Sequence, residues 1–360
     1  MNGSPNSQHD LLPEHSALQH ERAPRPLPLF LELVRKVSQG DPELARAALI
    51  GLKNYECIAR DSAAPPKPEI ARIRGACIRD HGGSGPPVLL VPSLINPPRI
   101  LDLDPEVSLT SAIGQMNRRA LLLDWGSAGD RKELDVAGHI EQLLLPLLRS
   151  ISEPLALIGY CLGGTMAIAA ANLAPVESVV TLAAPWRFAD YPTESRKALD
   201  DMWQHSKAAS QSLRALPMEV LQAAFWSLDP ERTVRKFAQF GRLEPGSPDT
   251  RRFVALEDWA NDGEPLPYAA ARELIEDLFG SDLPGSGQWK VGGQSVTDQP
   301  PAPTLHILAG HDRIAPAATA PAGDHIIVAS GHVGMIVGSA RTQLRQALGA
   351  FLDPACRPPT

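Results

Sequence analysis

The chain has 360 residues, 43% of them hydrophobic, and a formal net charge of -7, enough for one large domain with an insertion or for two modest domains. An acidic balance with no basic run argues against nucleic acid as the main partner. Four scattered cysteines, Cys57, Cys77, Cys161 and Cys356, form no C-x-x-C pair, which speaks against a zinc knuckle or a disulfide framework and for a reducing compartment.

The N-terminus, MNGSPNSQHDLLPEHS, has neither a basic n-region nor an apolar h-region, so no signal peptide is expected and the predicted location is the cytoplasm. Residues 1–28 are polar and proline-rich and read as a disordered or loosely attached tail. From Leu29 to Ile58 the apolar spacing is near 3.6, broken at Gly40-Asp41-Pro42. A stop, an N-cap and a proline at the first helical position predict two short helices over 29–60.

After the linker SAAPPKP, the run IARIRGACIRD alternates as an antiparallel strand does, and GGSGPP separates it from the fully apolar VLLV at 88–91. ALLLDW (120–125), PLALIG (154–159) and VVTLAA (179–184) repeat the look of central parallel strands, with helical segments between them. From Ala189 to Gln299 the alternation stops, and helix formers dominate among Trp203, Phe225, Trp226, Phe240, Phe253 and Trp259. TLHILAG, HIIVAS and the amphipathic ARTQLRQALGAFL then resume the strand and helix alternation. The prediction is an α/β, doubly wound, mostly parallel sheet whose core (61–188 and 300–360) is interrupted by a helical cap at 189–299. Pro154 to Val176 carries no charge, but its glycines and its strand-to-turn-to-helix rhythm fit a buried globular element, and no transmembrane helix is predicted.

The stretch ALIGYCLGGTMAIAAA (156–171) resembles the G-x-S-x-G elbow, with Cys161 in place of serine. Such a turn lifts the central side chain clear and sets it at a helix N-terminus, where N–H groups and the helix dipole favour a thiolate. A small buried hydrophobe is the bland reading for a free cysteine, and it stands for Cys57, Cys77 and Cys356. An elbow needs a base and an orienting acid, in the chain order nucleophile, acid, histidine. Asp312 follows one apolar strand and His332 follows the next, so both fall at carboxyl ends of parallel strands, beside the elbow. A turn or N-cap role is the alternative for Asp312, and a core or loop role for His332. His306 and His311 lie beside the acid and read as structural. The N–H of Leu162, with a second donor from Ser93 or Leu94 in the loop VPSLINPP, would form the oxyanion hole. No G-x-x-x-x-G-K-[ST], no G-x-G-x-x-G after a strand and no H-E-x-x-H is present, so neither metal nor cofactor is expected.

VPSLINPPRILDL, LLLDWG, GYCLGG, AGHDRIAP and SGHVGMIVG, with the cap segment FVALEDWANDGEPLP and GQWKVGGQ, resemble the poly(3-hydroxyalkanoate) synthases of the short, two-subunit type, a branch of the α/β-hydrolase superfamily. The resemblance runs from about Pro86 to the C-terminus. It implies an α/β-hydrolase fold, polymerisation of 3-hydroxyacyl-CoA with release of CoA, Cys161 as acyl carrier, His332 as base and Asp312 as its acid. Acyl-CoA is then a substrate and not a cofactor. The partners it suggests are a second synthase subunit, a homodimer and a polymer granule surface. The family commonly has histidine directly after this aspartate, and here Arg313 follows. The alternatives are a thioesterase or depolymerase-like hydrolase using the same triad with water, and a non-catalytic scaffold that keeps the elbow.

Overall fold

A computed structural model describes residues 23–60 and 65–353. Strands β1 (Glu69–Ile73), β2 (Ala76–Gly82), β3 (Pro87–Val91), β4 (Arg119–Asp124), β5 (Ala156–Tyr160), β6 (Ser178–Leu182), β7 (Thr304–Ala309) and β8 (His325–Val328) form one sheet. Their spatial order is β1-β2-β4-β3-β5-β6-β7-β8. β1, β2 and β4 pair antiparallel, and all other neighbours pair parallel. Every residue of β3, β5 and β6 is buried, as expected of strands covered on both faces, whose side chains cannot alternate between water and core.

The run IARIRGACIRD is a hairpin and not a single strand. Ile73 pairs with Ala76 and Arg74 takes the left-handed conformation, φ 52. Only β2 is buried, at the consecutive Ala76, Cys77 and Ile78 and so on both faces, and an alternating run long enough for one strand folds back and shields the sheet edge.

The sheet winds outward in both directions from β3, to β4 on one side and to β5 on the other. The loop after β3 and the turn after β5 therefore open side by side at the carboxyl ends, where doubly wound sheets bind ligands. The uncharged stretch 154–176 divides between β5 and helix α3 (Leu162–Leu173), which is buried over most of its length. Among the described residues no helix is long and apolar enough to cross a membrane.

Two helices precede the sheet, α1 (Leu27–Val37) and α2 (Pro42–Cys57). The break falls at Gly40-Asp41-Pro42, where Asp41 accepts from the N–H of Leu44 at 2.9 Å and proline stands at the first helical position. The tail expected over 1–28 lies outside the described residues as far as residue 22. Residues 23–28 depart from it: Ala23 is buried, the Arg25 N–H reaches Asn261 Oδ1 at 3.1 Å, and α1 already begins at Leu27. Proline composition suggested disorder there, but helix contacts and a long-range hydrogen bond hold the segment.

Between β6 and β7 the chain is largely helical, with α4 (Thr193–Leu213), α5 (Met218–Ser227), α6 (Pro230–Phe240) and α7 (Pro248–Asn261). The core-facing side of α6, Val234, Phe237 and Ala238, packs on Phe30, Ala48, Leu52 and Tyr55 of α1 and α2, with Phe30 and Phe237 rings edge to face at 4.7 Å. The other side of α6, with Arg232 and Lys236, is turned to the space at the carboxyl ends of the sheet. The closing helix α8 spans Arg341–Leu352.

The turn into α3 depends on bare backbone. A Cβ on Gly163 would lie 2.2 Å from the Val91 carbonyl oxygen and 2.5 Å from that of Pro92. Gly163→Ala is expected to cost about 1–3 kcal/mol of stability in denaturant unfolding, because backbone must move to admit the methyl group. Gly349 in α8 meets nothing within 4 Å, so Gly349→Ala is the control and gains up to about 1 kcal/mol from helix propensity. Equal stabilities for the two variants would refute the close approach at the elbow.

Candidate active site

Cys161 sits between β5 and α3 with φ 57 and ψ -132, a conformation that costs a residue with a Cβ roughly 1–3 kcal/mol. The surroundings enforce it. The Cys161 N–H donates to Leu182 O at 2.9 Å and its carbonyl accepts from Gly164 at 2.8 Å. Gly159 and Gly164 touch so closely that a Cβ on Gly159 would lie 2.4 Å from Gly164 Cα. The side chain stays partly exposed at the tip of the turn, whereas Cys77 is buried and Cys57 is exposed on α2. Cys356 lies outside the described residues.

Asp312 and His332 meet as their positions after β7 and β8 predict. Asp312 Oδ2 is 2.7 Å from His332 Nδ1, and both side chains are buried. The other oxygen, Oδ1, accepts from the N–H groups of Ile314 at 2.8 Å and Ala315 at 3.0 Å. The turn role and the histidine-orienting role are thus shared between the two oxygens of one carboxylate, and the turn fixes the oxygen that faces the ring.

Cys161 and His332 line the same cleft. Burial is the largest influence on the imidazole and disfavours its charged form. The charge on Cys161, the hydrogen bond donated to Asp312, and then the Cys161 hydrogen bond and the Asp312 charge outweigh it, raising the His332 pKa from its ordinary 6.5 to about 10. Such an environment favours the imidazolium form of His332.

Tyr160, directly before the nucleophile, sets its ring at a tilt to that of His332, with centroids 5.0 Å apart, and donates its hydroxyl to His332 O at 3.4 Å. Burial, then the charges of Cys161 and Asp312, push its pKa up, so it stays a neutral donor. Nothing in the strand pattern singled it out; its place beside the elbow is the one available signal.

Ser93 lines the cleft with Cys161, while the Leu94 side chain is buried in the core beneath the sheet. Leu162, the first residue of α3, is also buried. His306 is held at both ring nitrogens, by Thr181 Oγ1 at 2.8 Å and Ala322 O at 3.2 Å, as a structural histidine. His311 differs from that expectation: it is exposed and lines the cleft.

The cleft has a volume of about 300 Å³. Its roof comes from α5, α6 and α7, and Trp259 of α7 anchors it by donating to Pro97 O at 2.9 Å. Of the aromatic residues marked in the sequence, Phe225, Trp226 and Trp259 line this space. Trp203 belongs to the main core, and Phe240 stacks on Phe253 away from the cleft, with centroids 4.1 Å apart. Two ion pairs also border it: Lys236 to buried Glu257 at 2.7 Å, and Arg313 to Asp229 at 3.1 Å. Among the described residues, no group of three or more His, Cys, Asp or Glu side chains could hold a metal ion.

The chain is 26% identical over 275 residues to the poly(3-hydroxyalkanoate) polymerase subunit PhaC of Haloferax mediterranei, covering 70% of this chain and 55% of that protein. It is 26% identical to the PhaC subunit of Synechocystis sp., covering 74% of this chain and 77% of that protein. The PhaC subunit of Allochromatium vinosum is 25% identical, with coverage of 74% and 80%. The chain therefore spans about half the length of the Haloferax relative. The model of the alpha/beta hydrolase family matches residues 82–346, a stretch that contains β3 to β8, the elbow, the helical roof, Asp312 and His332. By that match and by the sheet that carries it, the chain belongs to the alpha/beta hydrolase family.

Proposed function

We propose that this protein is an acyltransferase that polymerises 3-hydroxyacyl-CoA into poly(3-hydroxyalkanoate). The observation that carries the reading is a thiol, not a hydroxyl, at the tip of the elbow, in a chain similar to PhaC polymerase subunits. Passing an acyl group from CoA to Cys161 exchanges one thioester for another at little net cost. Sulfur keeps the group activated for a second transfer, so one hard step becomes two easier ones.

In the first half-reaction the Cys161 thiolate attacks the thioester carbonyl, and CoA departs as its thiol with the proton of the His332 imidazolium. Leu162 N–H, with a backbone donor at Ser93 or Leu94, stabilises the oxyanion. Acylation removes the sulfur charge that raises the His332 pKa. Burial then opposes only Asp312, and the imidazole becomes the neutral base that the second half-reaction requires. It takes the proton of the 3-hydroxyl of the acceptor, whose oxygen attacks the acyl group. A new ester forms, and Cys161 leaves as thiolate beside the restored imidazolium. Asp312 holds the ring in the correct tautomer throughout. The aromatic roof of the cleft excludes water, the competing acceptor.

The test is the product formed from 3-hydroxybutyryl-CoA, with and without a second synthase subunit. CoA release with insoluble polyester is expected. One free 3-hydroxybutyrate per CoA released would overturn the polymerase reading and establish a hydrolase with the same triad.

A further inference from the structure

The charged groups around the cleft are not all paired. On α6, Asp229 at the N-cap and Arg232, Thr233 and Lys236 recur at helical spacing along the side turned to the cleft. Lys236 is neutralised by Glu257 and Arg313 by Asp229, and His332 is matched by Asp312. Arg232 is exposed and forms no ion pair among the described residues. Its guanidinium stands above the loop that delivers the base: a Cβ on Gly331 would lie 3.7 Å from Arg232 Nη1. In a chain of net charge -7, a guanidinium with no ion-pair partner, lining the same cleft as Cys161, is a local feature and not part of a general basic surface.

We infer that Arg232, flanked by Arg313, is the subsite for a phosphate of the acyl carrier, holding it at the cleft mouth while the thioester reaches Cys161. Guanidinium groups suit this task because their planar fork meets phosphate oxygens in pairs. Asp229 keeps Arg313 at the mouth by ion pairing, and Arg313 also donates to Leu228 O at 3.1 Å. An incoming phosphate can take over that ion pair, so the anion joins the loop after β7 to the start of α6. Arg232 is a positioning residue here and takes no part in the bond changes. The inference rests on the reading of Cys161 as acyl acceptor from CoA, and it adds the group that selects CoA over a bare thioester.

Two substrates with the same acyl group separate recognition from chemistry: 3-hydroxybutyryl-CoA, and S-3-hydroxybutyryl-N-acetylcysteamine, which has no phosphate. Arg232→Gln is expected to lower the ratio of kcat/KM for the CoA ester over that for the neutral thioester about tenfold, mainly through KM, as loss of one charge-assisted contact implies. Arg232→Lys should recover much of that ratio. Inorganic pyrophosphate should compete with the CoA ester in the unmodified protein and less so in Arg232→Gln. An unchanged ratio, or an equal fall for both substrates, overturns the subsite, the latter because it would show Arg232 acting on the His332 loop. Equilibrium binding of free CoA to the unmodified protein and to Arg232→Gln needs no turnover. Equal affinities would refute the subsite even if acyl transfer stands, and absence of acyl transfer with tighter CoA binding by the unmodified protein would refute only the proposed reaction.

Discussion

Cys161→Ala is expected to abolish CoA release from 3-hydroxybutyryl-CoA, lowering turnover by roughly 10⁴-fold or more, because the covalent route disappears and little besides binding and the oxyanion hole remains. The substitution leaves the fold intact on physical grounds. Alanine has the same Cβ as cysteine, so the strain at φ 57 is unchanged, and the side chain removed is only partly buried. Cys161→Ser sharpens the test. A serine keeps the elbow geometry but carries its acyl group as a lower-energy ester, so an acyl adduct should accumulate and stall. Intact-mass analysis after mixing with substrate reads both outcomes: an adduct on the unmodified protein, a longer-lived one on Cys161→Ser, and none on Cys161→Ala. Adduct or substantial CoA release with Cys161→Ala would show that the elbow is not the reactive site.

Asp312→Asn should cost about 10²–10⁴-fold in turnover and should also shift its pH dependence. Departure of CoA uses the imidazolium proton, so the alkaline limb of the rate profile reflects loss of that proton as pH climbs toward about 10. Asp312 raises the His332 pKa, through its hydrogen bond and its charge. Removing that carboxylate must therefore move the alkaline limb toward neutrality. The stability linkage has a matching sign. A pKa raised above the ordinary 6.5 stabilises the fold fully below that value and loses its contribution as pH rises through the folded-state value. The asparagine variant should thus show less loss of stability between pH 7 and 10 than the unmodified protein. A profile that falls in amplitude but keeps its alkaline limb would assign Asp312 to the turn through Ile314 and Ala315 alone.

The elements most legible in the sequence were those dictated by short-range chemistry. VLLV, PLALIG and VVTLAA read as buried parallel strands because a strand covered on both faces carries mostly apolar side chains, and all of β3, β5 and β6 is buried, with Thr181 of β6 bonded to His306. The glycine-framed Cys161 was legible for the same kind of reason, since the bend tolerates no Cβ at Gly159, Gly163 or Gly164. Asp312 and His332 were placed by chain order alone, because parallel strands deliver their carboxyl ends to one edge of the sheet.

What lay beyond the sequence depended on pairings distant along the chain. The run IARIRGACIRD alternates along its whole length, and only pairing with the distant β4 decides that its second half lies inside the sheet while the first folds back on it as the edge strand. The packing of α1 and α2 on α6 joins residues about 200 positions apart, as in the ring contact of Phe30 with Phe237, and no local pattern encodes it. Likewise the amino acid sequence displays Arg232, Lys236, Glu257 and Arg313 as ordinary surface charges. Which of them find partners across the cleft, and which is left unmatched, follows from where the helical roof comes to rest on the sheet, because ion pairing is a matter of distances of a few ångströms that only the folded chain creates.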